Sequence, residues 1–277
     1  RLEQVMSNGK ILVGTDDSDA LTGLAGDEVH GRAGDDDLEL VGPGLIDAGA
    51  GNDTLHWSGQ GPGTVTLLAG EGDDSILVGF PREFDGSIDG GDGWDIIQGE
   101  YGDLTRFAIA NIEEFKTVLD ARILLTVAQV GAFQKVSSDD VGRVQLSLSG
   151  EGGTLDLYGK IASQSGVELG LTHLTSAIYV RATGGSDIIY AGSRGETLHG
   201  GGGDDAIYEV FSDSSDTSPD PDRYFGGGGN DLLVSGAGAD SLFGGSGDDE
   251  MTGNAGDDLY HVDSRGDVVT EMADDGS

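Results

Sequence analysis

Along much of this chain a large apolar residue returns every nine positions, two places after an aspartate and behind a run of small residues. Residues 226–261 show it without interruption: Gly226-Gly-Gly-Gly-Asn-Asp231-Leu-Leu-Val, Ser235-Gly-Ala-Gly-Ala-Asp240-Ser-Leu-Phe, Gly244-Gly-Ser-Gly-Asp-Asp249-Glu-Met-Thr and Gly253-Asn-Ala-Gly-Asp-Asp258-Leu-Tyr-His. Glycine or another small residue fills places one to four, Asp holds place six and a large apolar residue holds place eight. The pattern predicts six residues of turn and three of strand in each repeat. Nine residues make half a coil, so successive strands run parallel and repeats alternate between the two edges of a flattened solenoid. A turn then stacks on the turn two repeats away. A disordered acidic linker has no reason to hold Asp and an apolar residue in phase over four repeats.

The same phase begins much earlier. Gly14–Thr22 carries Asp19 in place six, the stretch 23–30 is one residue short with Glu28 where Asp belongs, and Gly31–Glu39 fits fully with Asp36. Further repeats start at Ala48, Ala69 and Gly90, with Asp53, Asp74 and Asp95 in place six. Between them lie degenerate half-coils at 40–47, 57–68 and 78–89, which lack the aspartate and carry Gly-Pro-Gly, Gly-Pro-Gly or a Phe80-Pro-Arg-Glu-Phe84 loop. The full turns therefore fall on one edge. The other edge, with Trp57, Phe80 and Phe84 expected on its surface, either closes coils or is free to bind.

Between Gly99 and Arg181 the repeat disappears. Short strands are expected at 107–110, 115–119, 144–148, 155–158 and 178–181, and a short helix at 126–133. A separate globular domain would fit, but the spacing favours wider coils packed by side chains. The repeat returns at Gly185 and Asp187, weakens in Ala191–His199 where Arg194 and Glu196 take places four and six, and is full again in Gly200–Tyr208 with Asp205. An acidic, Ser-rich excursion over 209–225 ends on Asp222-Arg-Tyr-Phe, which recovers places six to nine. The expected fold is all-β, a parallel β-roll or β-helix solenoid: a repeat block over 1–98, a repeat-free, metal-free middle over 99–181 and a second repeat block over 182–277.

Composition narrows the chemistry. A formal charge of −37, from 51 Asp and Glu against 14 Lys and Arg, disfavours nucleic acid or an anionic membrane as partner and favours cations. With 0 cysteines there is no disulfide framework and no thiolate zinc site. No apolar run is long enough for a transmembrane segment, and none has the basic flank of a secretory leader. The chain opens on Arg1, as a fragment or a processed product would. Turn glycines aim carbonyl oxygens inward beside the aspartate, giving an oxygen-only site for a hard cation. Stacked turns lie ~4.8 Å apart. Two carboxylates at about that distance repel by roughly 3 to 4 kcal/mol at an effective dielectric near 20, more than the burial of one apolar side chain readily offsets. The stack should not close without a cation.

In its glycine run, sixth-place Asp and eighth-place apolar residue, the repeat resembles the hemolysin-type calcium-binding nonapeptide of the RTX (repeats-in-toxin) family of type I-secreted bacterial proteins. The resemblance implies several Ca2+ ions between stacked turns. Each is held by the sixth-place Asp of both turns, the second- and fourth-place carbonyls of one and the first- and third-place carbonyls of the other. In the C-terminal block this implies one site from Gly227, Gly229 and Asp231 with Gly244, Ser246 and Asp249, and another from Gly236, Gly238 and Asp240 with Gly253, Ala255 and Asp258. The same scheme brings in Gly226, Gly228 and Asp222, the run Gly200, Gly201, Gly202, Gly203 and Asp205, and Gly185 with Asp187. In the N-terminal block it implies Asp19, Gly34 and Asp36; Ala48, Gly49, Ala50, Gly51 and Asp53; Ala69, Gly70, Glu71, Gly72 and Asp74; and Gly90, Asp92 and Asp95.

No nucleophile elbow, His-Glu-x-x-His helix or phosphate-binding Gly-Lys-Ser/Thr loop occurs, so several enzyme classes drop out. Three readings stay open. The resemblance implies a calcium-folded region of a larger secreted or cell-surface protein, exported by type I secretion machinery, with residues 262–271 similar to the strand and cap that close such rolls. A surface-layer or adhesin segment would use the roll as a spacer and an edge or end for cell-surface polysaccharide or self-association. A β-helix polysaccharide lyase or epimerase would use Asp156, Tyr158, Lys160, His173, Tyr179 and Arg181 to neutralise a uronate, take its proton and return one.

Overall fold

The computed structural model describes residues 9–59, 62–79, 84–138, 143–161, 166–210 and 220–271; Phe80 with most of its loop, and the centre of the acidic excursion, lie outside them. Contacts divide the chain into two compact units, Arg1–Ile123 with Ala132–Asp139, and Leu124–Gly131 with Asp140–Ser277. Each is a parallel β-solenoid.

In the first unit one sheet stacks Ile11–Val13, Glu28–Ala33, Gly44–Ala50, Gly63–Glu71, Phe84–Asp92 and Phe107–Ala110, every neighbouring pair parallel. The facing sheet stacks Ala20–Gly23, Asp37–Val41, Thr54–Ser58, Ser75–Gly79 and Ile96–Asp103 in the same sense. Period-two alternation turns one apolar row inward from each. Leu38, Leu55, Ile76 and Ile97 face Val29, Ile46, Leu67 and Ile88, all fully buried. Each such side chain contributes roughly 1.5 to 3 kcal/mol, so a rung holds together only when stacked on its neighbours.

The second unit repeats this plan. Val144–Gly150, Val167–Leu174, Ile188–Ala191, Ala206–Glu209, Leu232–Val234, Glu250–Asn254 and Val268–Glu271 form one sheet; Gly153–Asp156, Ile178–Arg181, Thr197–Gly202, Arg223–Gly228, Ser241–Ser246 and Leu259–His261 form the other. The repeat-free strands pair parallel with their successors, Val144 on Val167 and Leu155 on Val180, so solenoid coils continue through that stretch. The helix is Val127–Ala132. A capping box starts it: Thr126 Oγ1 accepts the Gln129 amide (3.2 Å) and Gln129 Oε1 accepts the Thr126 amide (2.8 Å).

Two expectations need correction. Strands leading into the full turns are longer than three residues, because Gly44–Ala50, Gly63–Glu71 and Phe84–Asp92 include places one to three, paired Gly49 on Gly70 and Gly70 on Gly91. Only places four to six turn. The second-place glycines sit at φ 111, 120 and 99, where a side chain is strained. A Cβ on Gly70 would also collide with the Gly49 carbonyl oxygen, so the missing side chain lets the ladder run on through the repeat.

Among the described residues, the degenerate edge is packed from inside and does not carry exposed aromatics. Trp57 and Phe84 are each only 2% exposed. Their rings meet edge to face at 5.0 Å, Phe107 lies 5.8 Å from Trp57, and the Trp57 Nε1 donates to the Gly42 carbonyl at 2.8 Å. Strand alternation turns Trp57 to the same side as Leu55. Where the repeat lacks its aspartate, aromatic packing fills the edge from inside.

Candidate metal-binding edges

Place six builds a ladder of carboxylates along each full edge. In the first unit the Asp19 amide donates to Asp36 Oδ1 (2.7 Å), Asp36 to Asp53 (2.8 Å), Asp53 to Asp74 (2.7 Å) and Asp74 to Asp95 (3.0 Å). In the second unit Asp187 donates to Asp205, Asp205 to Asp231 (2.8 Å each) and Asp231 to Asp249 (2.9 Å). The opposite edge carries Glu196 to Asp222 (2.6 Å), Asp222 to Asp240 (2.8 Å) and Asp240 to Asp258 (2.9 Å). One oxygen of each carboxylate thus satisfies the backbone of the preceding rung.

At Asp19, Asp187 and Asp222 the other oxygen is also taken, accepting from Thr15, Thr183 and the Tyr224 hydroxyl respectively, but along the rest of the rows it has no such use. Oδ2 of Asp36, Asp53, Asp74, Asp95, Asp205, Asp231, Asp240, Asp249 and Asp258 is buried without a hydrogen-bond partner. Each such atom costs roughly 1 to 3 kcal/mol, and more when charged. It lies against the first glycine of its own repeat: a Cβ on Gly31, Gly200, Gly226 or Gly244 would strike it. Carbonyl oxygens converge from the neighbouring rung. Those of Gly49, Gly51, Gly70 and Gly72, and of Gly227 and Gly229, point at glycines of the next rung, where a Cβ would run into them. Places two and four of one rung therefore present oxygens to the next.

Burial dominates the electrostatics. It pushes the carboxyls of Asp74, Asp231 and Asp258 up to about 6 and those of Asp205 and Asp222 up to about 8, against the partial relief of the amide each accepts; neighbouring carboxylates add to the rise. Asp53, Asp95, Asp187 and Asp249 are raised for the same first reason. An oxygen-lined gap that disfavours its own negative charge calls for a proton or a hard cation. Calcium takes 6 to 8 oxygens, which two aspartates and four carbonyls begin to supply. Among the described residues no three His, Asp or Glu side chains converge on one point, so any metal here must rely on the backbone.

Some participants escape the nonapeptide pattern. Asp27, not Glu28, takes the acidic place in the short repeat: it is 3% exposed and accepts the Lys10 (2.8 Å) and Leu24 (3.0 Å) amides. The missing residue shifts the phase by one, and Glu28 turns outward toward His30 at 3.4 Å. Asp267 extends its ladder by accepting the Asp249 amide (3.1 Å); its position nine after Asp258 is the signal for it. Glu113 Oε2 accepts the Asp95 amide (3.0 Å), with no repeat to announce it. The Glu209 carboxylate lies where a Cβ on Gly236 would be.

Place five forms a second ladder running the other way, on the exposed side. Asp35 accepts the Asn52 amide, Asn52 the Asp73 amide and Asp73 the Trp94 amide, each at 2.8 Å. In the second unit Asp204 accepts from Asn230 and Asn230 from Asp248, also at 2.8 Å.

A family description of the RTX calcium-binding nonapeptide repeat matches the chain in four copies, over residues 45–56, 181–208 and 225–260. The chain carries RTX calcium-binding repeats. No curated protein matches it. The matched RTX segments coincide with the aspartate ladders of both units, and the ladder geometry continues past them to Asp74, Asp95 and Asp267. No helix among the described residues is long and apolar enough to cross a membrane.

The residues considered for uronate chemistry are not brought together as one set. Asp156, Tyr158, Tyr179 and Arg181 share a neighbourhood, with Arg181 3.6 Å from Asp156 and 4.1 Å from the Tyr158 ring centre. His173 lies on Val167–Leu174, in the other sheet, beside Thr172. Lys160 donates to the Gly131 carbonyl (2.6 Å).

Proposed function

We propose that this chain is a calcium-folded region of a secreted or cell-surface protein. The observation that carries the reading is the row of buried, unpartnered Oδ2 atoms at place six of stacked rungs. In the first unit the ions would be held between Asp19, Asp36, Asp53, Asp74 and Asp95, with carbonyls of Ala48 to Gly51, Ala69 to Gly72 and Gly90 to Asp92. In the second unit they would be held by Asp187, Asp205, Asp231 and Asp249 with the carbonyls of Gly200 to Gly203, Gly226 to Gly229, Gly244 and Ser246 on one edge. On the other edge they would be held by Asp222, Asp240 and Asp258 with Gly236, Gly238, Gly253 and Ala255. Bound calcium supplies the positive charge that lets stacked carboxylates ionise together. The chain supplies rigidity: Oδ1 is fixed by an amide, so Oδ2 cannot swing to water.

Extracellular modules bind calcium at about 10⁻⁴ to 10⁻³ M. In a calcium-poor cytosol the rungs stay apart, and they close outside, which suits export of an unfolded chain by type I machinery and discourages its return. The test is far-UV circular dichroism with scattering size during calcium addition to chelator-treated chain, repeated with magnesium. Calcium, and not magnesium, should create β signal and reduce the radius cooperatively. A chain already compact in chelator and unchanged by millimolar calcium sinks the reading.

A further inference from the structure

The outward face of the second unit's sheet that runs from Gly153–Asp156 to Leu259–His261 differs in charge from the rest of the chain. Alternation buries Val180, Leu198, Tyr224 and Leu242. Arg181, His199, Phe225, Phe243 and His261 therefore form one outward row, with Tyr179 and Arg223 in the row beside it. Among the described residues, the five strands from Ile178–Arg181 to Leu259–His261 turn no Asp or Glu outward, in a protein that has 51. Asp156, on the neighbouring strand, is committed to Arg181.

The rings stack along the solenoid axis. His199 and Phe225 lie 4.3 Å apart at 3°, Phe225 and Phe243 4.6 Å at 8°, and Phe243 and His261 5.7 Å at 28°. Their faces cover one another, so the row shows solvent its edges, the positive part of an aromatic quadrupole. Arg181 is held against Asp156 and the ring of Tyr158, which is itself 59% exposed; Tyr179 is 40% exposed. Burial and the nearby Arg181 favour the neutral form of His199.

We propose that this face binds an extended, carboxylate-bearing polysaccharide laid along the solenoid axis. The strand spacing of ~4.8 Å is close to the length of one pyranose unit, so successive sugars keep step with successive strands. Arg223 takes a carboxylate in the bidentate manner guanidinium favours, and Arg181, two strands away and paired through Nη1 with Asp156 at 3.6 Å, takes another through its remaining N–H groups. The exposed Tyr158 and Tyr179 rings offer flat apolar surface to sugar C–H groups. Elsewhere the chain's charge repels a polyanion, which confines it to this face. The inference goes beyond calcium binding and requires only that the second unit is folded.

The experiment is calorimetric titration of the full chain in calcium with a short oligogalacturonate, too short to gel. Its methyl ester, a neutral cello-oligosaccharide and an oligothymidylate serve as comparisons. Oligogalacturonate should bind, with ester and neutral sugar at least about tenfold weaker, and Arg181→Gln and Arg223→Gln should each weaken it by about three- to tenfold. Circular dichroism should show both variants folded at the same calcium concentration as the parent. Equal binding of the ester, equally tight binding of the oligonucleotide, or unchanged affinity in the double variant would overturn the proposal. So would dimers abolished by Phe243→Leu, which would make a second copy the occupant. Should a variant not fold, hydrogen exchange on the unaltered chain decides: protection by the oligosaccharide is expected at 178–181 and 223–228, and protection elsewhere only refutes the assignment.

Discussion

Consider the calcium-free chain carried from pH 8 to pH 6. Asp205 and Asp222 have folded-state values of about 8 against an ordinary 3.8, and both are at most 3% exposed. A raised value means that the folded chain holds protons the unfolded chain has released. The stabilisation is fully present below about 3.8 and is lost as pH rises through about 8. Each group contributes about 1.4 kcal/mol per pH unit inside that window. Two give roughly 3, and about half remains once the solvent close to the edge is allowed for, so the change from pH 8 to 6 is about 3 kcal/mol. Below pH 6 Asp74, Asp231 and Asp258, with values of about 6, steepen the trend. The assay is far-UV signal and urea midpoint in chelator at a series of pH values, with a parallel series in saturating calcium. In chelator acid should add structure and raise the midpoint. In calcium acid should lower it, because protons compete for the same oxygens. Asp205→Asn with Asp222→Asn should flatten the chelator series between pH 6 and 8, separating these groups from the general effect of net charge. A calcium-free chain that loses stability on acidification through this window would refute the reasoning.

Asp231→Asn keeps an oxygen for the Asp205 amide but removes a charge. It should raise the calcium midpoint several-fold while increasing the residual β signal of the calcium-free chain at neutral pH, as read by calcium titration and far-UV circular dichroism. Gly70→Ala places a Cβ at φ 120 against the Gly49 carbonyl and should cost roughly 1 to 3 kcal/mol. Gly131→Ala, in the helix with nothing within 4 Å, should be neutral or stabilising by up to about 1 kcal/mol; thermal melts of the pair check both. Trp57→Ala should destabilise the calcium-loaded chain by about 3 to 5 kcal/mol, and by the same amount at every calcium concentration that folds it, because that edge is held by aromatic packing.

The solenoid was legible because phase is a long-range signal. Asp and an apolar residue separated by two places, returning every nine, force parallel rungs whatever the residues between them. What phase could not carry is local. It placed Glu28 in the acidic position because it counts residues, whereas the chain absorbs a deletion by turning Asp27 inward. It left Trp57 on the surface because a turn without aspartate reads as open, whereas strand alternation turns the indole into the core. Place-five side chains read as ordinary turn polars; their ladder depends on amides brought into reach by stacking, which no single repeat contains. Glu113 and Glu209 have no repeat position at all and are found only in three dimensions.

One feature of the aspartate ladder bears on how binding is distributed. Oδ1 of each inner rung, as at Asp36, Asp53 and Asp74, is already committed to the amide before it, so an inner aspartate has a single free oxygen to offer the gaps above and below. Gaps are links between neighbours and not independent cups. Loss of Asp53 would disable two links and split its row into shorter arrays, whereas loss of Asp19, at an end, would disable one. Equal substitutions should thus have unequal effects on the steepness of the calcium response, set by distance from the end of the row and not by the identity of the residue.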